Sequence, residues 1–344
     1  AKEVLEELLA HDVVSWNALI TGYAQVGRHY EANMCLERMR NMGLSPDAIT
    51  LLSILKACGC IEAIEKGKKA HNEILSRGFL EKDTILGNAL VVMYAKLGML
   101  ERAQRVLEEL HVRDLVSWSA MIAGYEQQGQ DHEAMKCFEQ MKCEGFSPDA
   151  VTFISILKVC GKIGAIDKGE QIHEETLRRG LLGRDIVLST ALVDMYAKCG
   201  ITAKAKELLE KLPVRDSVSW NTLIAGYIEQ RQVHEALKCL ERIESEGFYP
   251  NVVTVISILK ACGSIGDIDN GKRIHSEIES RGLLHVFLGT ALVDMYAKFG
   301  FLPKAHEVLE NLSIRNAVSW NALIAGCVDQ GQAHEALNCF ERMQ

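Results

Sequence analysis

A period of about one hundred residues runs through the whole sequence and constrains its fold more than any other feature. All four tryptophans share this period and are separated by 102, 102 and 100 residues: Trp16, Trp118, Trp220 and Trp320. Cysteines and prolines recur at the same spacing. An internal repeat overrides ordinary domain counting, because each repeat is one supersecondary unit that buries its apolar face only against its neighbours.

Each long period divides into three segments, with lengths from Val13 onward of 35, 36, 31, 35, 36, 31, 35, 34 and 31 residues. The segments are 13–47, 48–83, 84–114, 115–149, 150–185, 186–216, 217–251, 252–285 and 286–316. Residues 1–12 and 317–344 are then partial repeats within a single array. The sequence is therefore expected to be a piece of a longer protein.

Within a segment the pattern predicts two helices separated by a break. Trp16, Leu19, Ile20 and Tyr23 fall on one helical face, and Gly27 interrupts the pattern before a second apolar stripe. Ser15 occupies a position that favours an N-cap. One such hairpin cannot bury both stripes alone, whereas stacked neighbours can. The predicted fold is all-α, an α-solenoid of stacked helix-turn-helix repeats.

Composition adds limits on partners and location. Forty-six acidic residues against 38 basic ones give a net charge of −8, which at first sight argues against nucleic acid. No apolar stretch is long enough for a membrane span, and the first residues do not look like a targeting peptide. Eleven cysteines in 344 residues are too few for a disulfide scaffold, and an odd number cannot all pair within the chain. Reduced thiols are therefore expected.

The alternating repeat lengths and motifs resemble the PLS class of plant pentatricopeptide repeat proteins over essentially all 344 residues. The P repeat reads DVVSWNALITGYAQVG, the L repeat AITLLSILKACGCIEAIEKGKKAHNEILSRGF and the S repeat GNALVVMYAKLGMLERAQRVLEEL. The resemblance implies a right-handed superhelix that binds single-stranded RNA with one base per repeat. It further implies the target-recognition region of a C-to-U RNA editing factor in a mitochondrion or chloroplast, with other editing factors among its candidate partners.

The resemblance also assigns base recognition to the fifth and the last residue of each repeat. The P repeats give Asn17 with Asp47, Ser119 with Asp149, and Asn221 with Asn251. The S repeats give Asn88 with Asp114, Thr190 with Asp216, and Thr290 with Asn316. The L repeats have Leu52, Ile154 and Ile256 at the fifth position and are assigned no base.

Hydrogen-bonding chemistry agrees with the code that the resemblance implies. An ionised Asp only accepts hydrogen bonds and suits the imino N–H of U or G, whereas Asn can also donate to a ring nitrogen of C or A. A short Ser or Thr leaves room for a purine, and the longer Asn reaches a pyrimidine. With the 5′ end at the N-terminus, as in the family, the predicted target is 5′-UnUGnGYnA-3′.

Two further sets of residues are assigned by the resemblance. The second residues of the readable repeats would sandwich the bases: Val14, Ile85, Val116, Val187, Val218 and Phe287. A lysine in each S repeat would contact the RNA backbone: Lys96, Lys198 and Lys298. Three lysines in one groove would offset the negative total charge, because acids elsewhere are screened over about 8 Å.

Several alternatives remain open from the sequence. Asp and Asn at repeat ends are also common helix caps, and the same concave surface could serve a protein-binding scaffold. The H-x-E triplets at His71, His173 and His275 resemble a deaminase fragment, but no P-C-x-x-C is present, so neither catalysis, metal nor cofactor is predicted. The expected state is a monomer, although cut ends could associate end to end.

Overall fold

The structure is a computed structural model and describes residues 12–58 and 64–343, except for the side chains of residues 81 and 82. Of the partial repeat at residues 1–12, only Asp12 is among the described residues. Helices and turns make up the described part of the chain, which contains no strand.

Each repeat of the described chain contains a first and a second helix. The first helices are Val13–Gln25, Ala48–Ala57, Thr84–Lys96, Leu115–Gln127, Ala150–Ile163, Ile186–Lys198, Ser217–Glu229, Val252–Ile265, Val286–Lys298 and Ala317–Asp329. They begin at the residues where the segments of the sequence begin. The chain is therefore an all-α array of helical hairpins.

The second helices follow each of these in turn. They are His29–Asn41, Ile64–Ser76, Leu100–Glu109, Asp131–Cys143, Ile166–Arg178, Thr202–Lys211, Val233–Ser245, Ile268–Ser280, Leu302–Asn311 and Ala333–Met343. A short additional helix, Phe79–Lys82, ends the first L repeat. The second helices of the S repeats are the shortest, with 10 residues, which accounts for the 31-residue S repeat.

The chain divides into two compact units, Ala1–Ile163 and Gly164–Gln344. Within each unit the first helices pack side by side in chain order, and a second helix that shares a unit with its own first helix packs against it. The four tryptophans are buried in these contacts, with exposures of 0–6%. Stacking of neighbouring hairpins thus buries the apolar stripe that a single hairpin would leave in water.

The turn between the two helices of a P repeat requires a left-handed backbone conformation. Gly27, Gly129 and Gly331 adopt it with φ values of 75°, 68° and 71°. Arg231 occupies the same place with a φ of 57° and is the one non-glycine residue with positive φ in the described part of the chain. A side chain in this conformation costs roughly 1–2 kcal/mol.

The cysteines of the described chain are free thiols, and most are buried. Burial raises the pKa of Cys137 to about 12 and those of Cys239 and Cys262 to about 11. These thiols are protonated at neutral pH and act as small core residues. None of the described helices has the length and hydrophobicity needed to cross a bilayer.

Candidate nucleic-acid interface

The last residue of each P and S repeat is the N-cap of the first helix that follows. Its side-chain Oδ1 accepts the backbone N–H of the third helical residue at 2.8–2.9 Å. The six caps are Asp47, Asp114, Asp149, Asp216, Asn251 and Asn316. Capping satisfies one of the unpaired N–H groups at the start of the helix. The interpretation of these residues as helix caps is therefore correct.

The expectation that Ser15 is an N-cap is wrong. Asp12 is the cap of the helix Val13–Gln25, and its Oδ1 accepts the backbone N–H of Ser15 at 2.8 Å. Ser15 is the third residue of the helix. The carboxylate one turn earlier reaches the free N–H groups, so the helix starts three residues before the position predicted from sequence.

The fifth residue of each repeat lies near the cap at the end of the same repeat, at the boundary with the next repeat. In the first P repeat the amide Nδ2 of Asn17 donates to both carboxylate oxygens of Asp47 at 3.0 Å. Asn17, Asn88, Ser119 and Asn221 are buried, with exposures of 6–8%. Buried polar groups need partners, and the neighbouring repeat supplies them.

A Ser or Thr at the third position of the following helix bridges most of these pairs. Ser117 Oγ lies 2.7 Å from Asn88 Oδ1 and 2.8 Å from Asp114 Oδ1. Thr152 makes the corresponding link between Ser119 and Asp149, at 2.6 and 2.7 Å. Thr50 and Ser219 connect the pairs of the first P repeat and the second S repeat in the same way.

Sequence reasoning missed this bridging hydroxyl, although its signal was present. Each cap is followed three residues later by a hydroxyl, with exposures of 0–6%: Thr50, Ser117, Thr152, Ser219, Thr254 and Ser319. A capping box explains the spacing in sequence. The contact to the fifth residue of the preceding repeat appears only in the folded array.

Two pairs depart from this pattern. In the third P repeat the backbone N–H of Asn251 donates directly to Asn221 Oδ1 at 3.3 Å. In the third S repeat Thr290 Oγ1 instead donates to the carbonyl of Val286 at 2.7 Å. Ser319 there donates to the backbone carbonyl of Asn316 at 2.8 Å. The structure therefore brings together five of the six pairs by hydrogen bonds and leaves Thr290 and Asn316 unlinked.

Capping also fixes which polar atom each last residue presents. Oδ1 of Asp114, Asp149 and Asp216 holds the helix N-terminus, while Oδ2 has no hydrogen-bond donor among the described residues. In Asn251 and Asn316 the oxygen is used in the cap, so the amide Nδ2 is the remaining group. An Asp thus presents an acceptor and an Asn presents a donor.

Asp47 differs because both of its oxygens accept hydrogen bonds. Burial by itself would raise the pKa of this carboxyl, but hydrogen bonds from Thr50 and Asn17 outweigh that effect and lower the pKa below its ordinary value. The carboxylate is therefore the form that the folded protein favours. Any ligand group that donates a hydrogen bond to Asp47 has to compete with the Asn17 amide.

The second residues form an exposed apolar row on the first helices. Their exposures range from 58 to 72%: Val14, Ile85, Val116, Val187, Val218 and Phe287. The L repeats continue the row with Ile49, Val151 and Val253, which the sequence analysis did not include. Their fifth residues, Leu52, Ile154 and Ile256, are half-buried and apolar. The L repeats therefore offer apolar contact without a polar fifth residue.

The three S-repeat lysines end their first helices but differ in their partners. Lys198 Nζ lies 2.7 Å from Asp194 Oδ2, and Lys298 Nζ lies 2.8 Å from Asp294 Oδ2. Lys96 is exposed, has Val92 at the corresponding place, and makes no ion pair with a described residue. Lys96 is thus the cation of the three whose charge is not offset by a neighbouring carboxylate.

One surface hollow of about 230 Å³ brings the predicted groups together in the second unit. It is lined by Asn221 and Asn251, by the exposed residues Val218 and Val253, and by Lys198 with its partner Asp194; Glu229 also lines it. The hollow thus combines a polar pair, two apolar side chains and an ion-paired lysine. The arrangement can hold a flat heteroaromatic ring and hydrogen-bond its edge.

The H-x-E histidines lie on the second helices of the L repeats, away from this surface. Nδ1 of His71, His173 and His275 is 2.8–2.9 Å from the hydroxyl of Tyr94, Tyr196 and Tyr296, respectively. Burial lowers the pKa of each histidine, so the neutral ring is favoured. The repeated contact gives these histidines a structural role in holding neighbouring helices together.

Comparison with known proteins agrees with the repeat architecture. Residues 11–60, 113–162 and 215–264 match the PPR repeat family, and residues 88–115 and 318–344 match the PPR repeat. A chloroplastic pentatricopeptide repeat-containing protein of Arabidopsis thaliana is 34% identical over 345 residues, which cover 100% of this chain and 55% of the relative. A mitochondrial one is 34% identical over 346 residues, covering 100% and 50%. The chain thus spans about half the length of these relatives.

Solved structures show the same fold. The crystal structure of the pentatricopeptide repeat protein PPR10 from maize matches with a TM-score of 0.63 and 21% identity, covering 99% of this chain and 55% of that one. PPR10 in complex with an 18-nt psaJ RNA element matches with a TM-score of 0.78 and 22% identity, covering 96% and 50%. The repeat matches, the relatives that align along this whole chain and the fold agree, and the chain belongs to the pentatricopeptide repeat family.

Proposed function

We propose that the chain binds single-stranded RNA sequence-specifically, with one base at each P and S repeat and the target 5′-UnUGnGYnA-3′. The hollow around Asn221 and Asn251 is the observation that carries the proposal, because it combines a polar pair, two apolar side chains and Lys198. The RNA-bound PPR10 structure supports the proposal through the shared fold.

The cap geometry gives the proposed code a physical basis. The free Oδ2 of Asp114, Asp149 or Asp216 accepts the imino N–H that U and G carry, and that C and A lack. The free Nδ2 of Asn251 or Asn316 donates to the ring nitrogen of C or A. The last residue thereby separates the bases into two classes, and the size of the fifth residue separates purine from pyrimidine.

Affinity in this proposal comes mainly from stacking and base edges. The row of exposed aliphatic residues and Phe287 provides apolar faces for successive bases. Three lysines against a net charge of −8 provide few phosphate contacts. The logarithm of the binding constant should therefore fall with the logarithm of salt concentration with a slope of only about −2 to −3.

We further infer that the array is PLS-class and forms the target-recognition region of an organelle C-to-U editing factor. The 35-, 36- and 31-residue alternation and the chloroplastic and mitochondrial relatives support this assignment. Loss of the gene should abolish editing of a cytidine just downstream of a matching organelle transcript sequence. Unchanged editing at every such site in sequenced chloroplast and mitochondrial transcripts would contradict it.

The binding proposal is tested by changing one reading residue. Asn88→Thr should shift the preference at the third base from U to G, by about 5- to 150-fold for one satisfied pair. Fluorescence anisotropy or gel-shift titrations compare both proteins on RNAs that differ at that base. RNAs changed at the sixth base, opposite Thr190 and Asp216, are the control and should weaken both proteins equally.

The outcomes distinguish the proposed function from its alternative. Binding without any change of preference at the third base would contradict the code. Equal binding to the target and to a scrambled RNA, with a steep salt dependence, would contradict sequence-specific reading. Absence of binding to any RNA would favour a protein-binding scaffold that uses the exposed apolar row.

A further inference from the structure

Four potential metal ligands meet where the third S repeat packs against the last hairpin. We call them the terminal cluster: His306, Cys327, Glu335 and Cys339. They come from three helices, Leu302–Asn311, Ala317–Asp329 and Ala333–Met343. The two cysteines are fully buried, while His306 and Glu335 are partly exposed. The cluster therefore has an apolar floor and an opening to solvent.

The distances within the cluster are close to those of a metal site. Cys339 Sγ is 3.9 Å from His306 Nε2, and His306 Nε2 is 3.7 Å from Glu335 Oε1. The ligand atoms of these three residues all lie within 4.8 Å of one another. The buried Cys327 thiol interacts electrostatically with that of Cys339 and provides a fourth possible ligand from the neighbouring helix. A tetrahedral zinc site separates its ligand atoms by roughly 3.3–3.8 Å, so the four side chains have to move closer together when the ion binds.

Earlier copies of the same hairpin have only half of this set. They keep the glutamate and the cysteine at the corresponding positions, as Glu133 with Cys137 and Glu235 with Cys239. In place of His306 they have Gln104 or Lys206, and in place of Cys327 they have Tyr125 or Tyr227. Two exchanges therefore turn a hydrogen-bonded or ion-paired junction, such as Lys206–Glu235 at 3.4 Å, into a set of metal ligands.

The residues around His306 are suited to a metal-binding imidazole. Glu310 Oε1 lies 3.7 Å from His306 Nδ1, on the side of the ring away from the cluster. A carboxylate in that position orients a metal-binding imidazole and fixes its tautomer. Arg342 Nη1 lies 3.4 Å from His306 Nε2, but this guanidinium is exposed and pairs with Glu310 at 3.0 Å. It can turn towards Glu310 when a cation occupies the cluster.

We propose that the terminal cluster binds one Zn²⁺ ion, which ties the last hairpin to the preceding S repeat. Two thiolates, one imidazole and one carboxylate are ligand types that zinc accepts in tetrahedral sites. Binding displaces the two thiol protons to solvent, because the thiolate is the ligand form. Its ligands belong to no predicted RNA-reading pair, so RNA binding and metal binding should be separable.

Metal titration of the whole chain under a non-thiol reductant tests the proposal. Zn²⁺ should bind one ion per chain and raise the thermal midpoint, and Co²⁺ should give the absorption bands of a thiolate-bound tetrahedral ion. His306→Gln and Cys327→Tyr restore residues that earlier copies of the hairpin carry, which keeps folding intact. Each should weaken Zn²⁺ binding about tenfold or more while leaving the affinity for RNA unchanged.

Cys239→Ser is the matched control, because Cys239 holds the same position in the preceding P repeat beside Lys206 and Tyr227. It should leave the metal stoichiometry at one. Substoichiometric Zn²⁺ in the unaltered chain, or equal Zn²⁺ affinity in the His306→Gln variant, would overturn the proposal. A fall in stoichiometry on Cys239→Ser would also overturn it, by placing the ion elsewhere.

Discussion

Replacing Ser117 by alanine tests whether the bridging hydroxyl supports both the fold and base reading. Ser117 is fully buried, and its Oγ contacts Asn88 Oδ1 at 2.7 Å and Asp114 Oδ1 at 2.8 Å. A hydrogen bond to a charged acceptor contributes about 1.5–3 kcal/mol, and its removal also leaves the buried Asn88 oxygen without that donor. The higher helix propensity of alanine returns about 0.5 kcal/mol. The expected net destabilisation is about 1–2.5 kcal/mol.

Ser319→Ala is the matched control within the same chain. Ser319 is the third residue of its helix and is equally buried, but its hydroxyl donates to the Asn316 backbone carbonyl at 2.8 Å and accepts the Asn316 backbone N–H at 3.2 Å, and it contacts no fifth residue. Two neutral hydrogen bonds of about 1 kcal/mol each are partly offset by a gain of about 0.5 kcal/mol in helix propensity. We therefore expect a destabilisation of about 1.5 kcal/mol or less for Ser319→Ala, without the loss of base selectivity expected for Ser117→Ala.

Hydrogen exchange of the helices Leu115–Gln127 and Ala317–Asp329, each compared with the unaltered chain, measures the local free energy of opening. RNA titrations supply the second readout, because Ser117→Ala should also relax selectivity at the third base, whereas Ser319→Ala should leave the ninth base unaffected. A larger destabilisation by Ser319→Ala than by Ser117→Ala would refute the reasoning. Unchanged selectivity at the third base, together with the expected destabilisation, would restrict the bridge to a structural role.

Three further predictions follow from single contacts. Because the pKa of Asp47 is lowered in the folded state, its carboxylate stabilises the fold above pH about 4. This stabilisation is lost as the pH falls towards the folded pKa of Asp47. The Asp47→Asn variant has no carboxyl group here to titrate, so its acid denaturation curve should lack this loss of stability. Lys96→Gln should reduce RNA affinity and lower the magnitude of the salt slope by about 0.7, whereas Lys198→Gln should change both less because Asp194 already offsets that charge. Arg231→Gly should stabilise the chain by roughly 0.5–1 kcal/mol in urea denaturation, since it relieves a left-handed backbone at the cost of glycine entropy, and Gly129→Arg should do the reverse.

The repeat architecture could be read from the sequence because its signals are local. Buried tryptophans, turn glycines and helix-capping residues lie within a few positions of the elements that they define, so each repeat begins where a helix begins. The one local error was the cap at Ser15. Both Asp12 and Ser15 can cap a helix, and only the backbone shows that Asp12 does so.

Contacts between repeats were beyond the reach of sequence reasoning. The bridge from Ser117 to Asn88 joins residues 29 apart on different helices; the spacing of Ser117 from its cap is visible in the sequence, but the contact with Asn88 is not. The ion pair of Lys198 with Asp194 is local, four residues apart on one helix, and the sequence analysis did not include it. The terminal cluster could not be predicted from the sequence because its ligands come from three helices. Cysteines at repeating core positions are also ordinarily interpreted as small apolar residues.

The proposed double use of the repeat-end side chain, in capping and in base reading, restricts how such a protein can change its target during evolution. A residue that must begin the next helix is drawn from the few types that cap well, and of these Asp and Asn present opposite hydrogen-bonding groups after capping. Under the proposed code, this position therefore distinguishes only two classes of base, because the scaffold limits which residues it accepts. Exchange of Asp for Asn keeps a good cap, so a new target can be sampled without loss of the helix start.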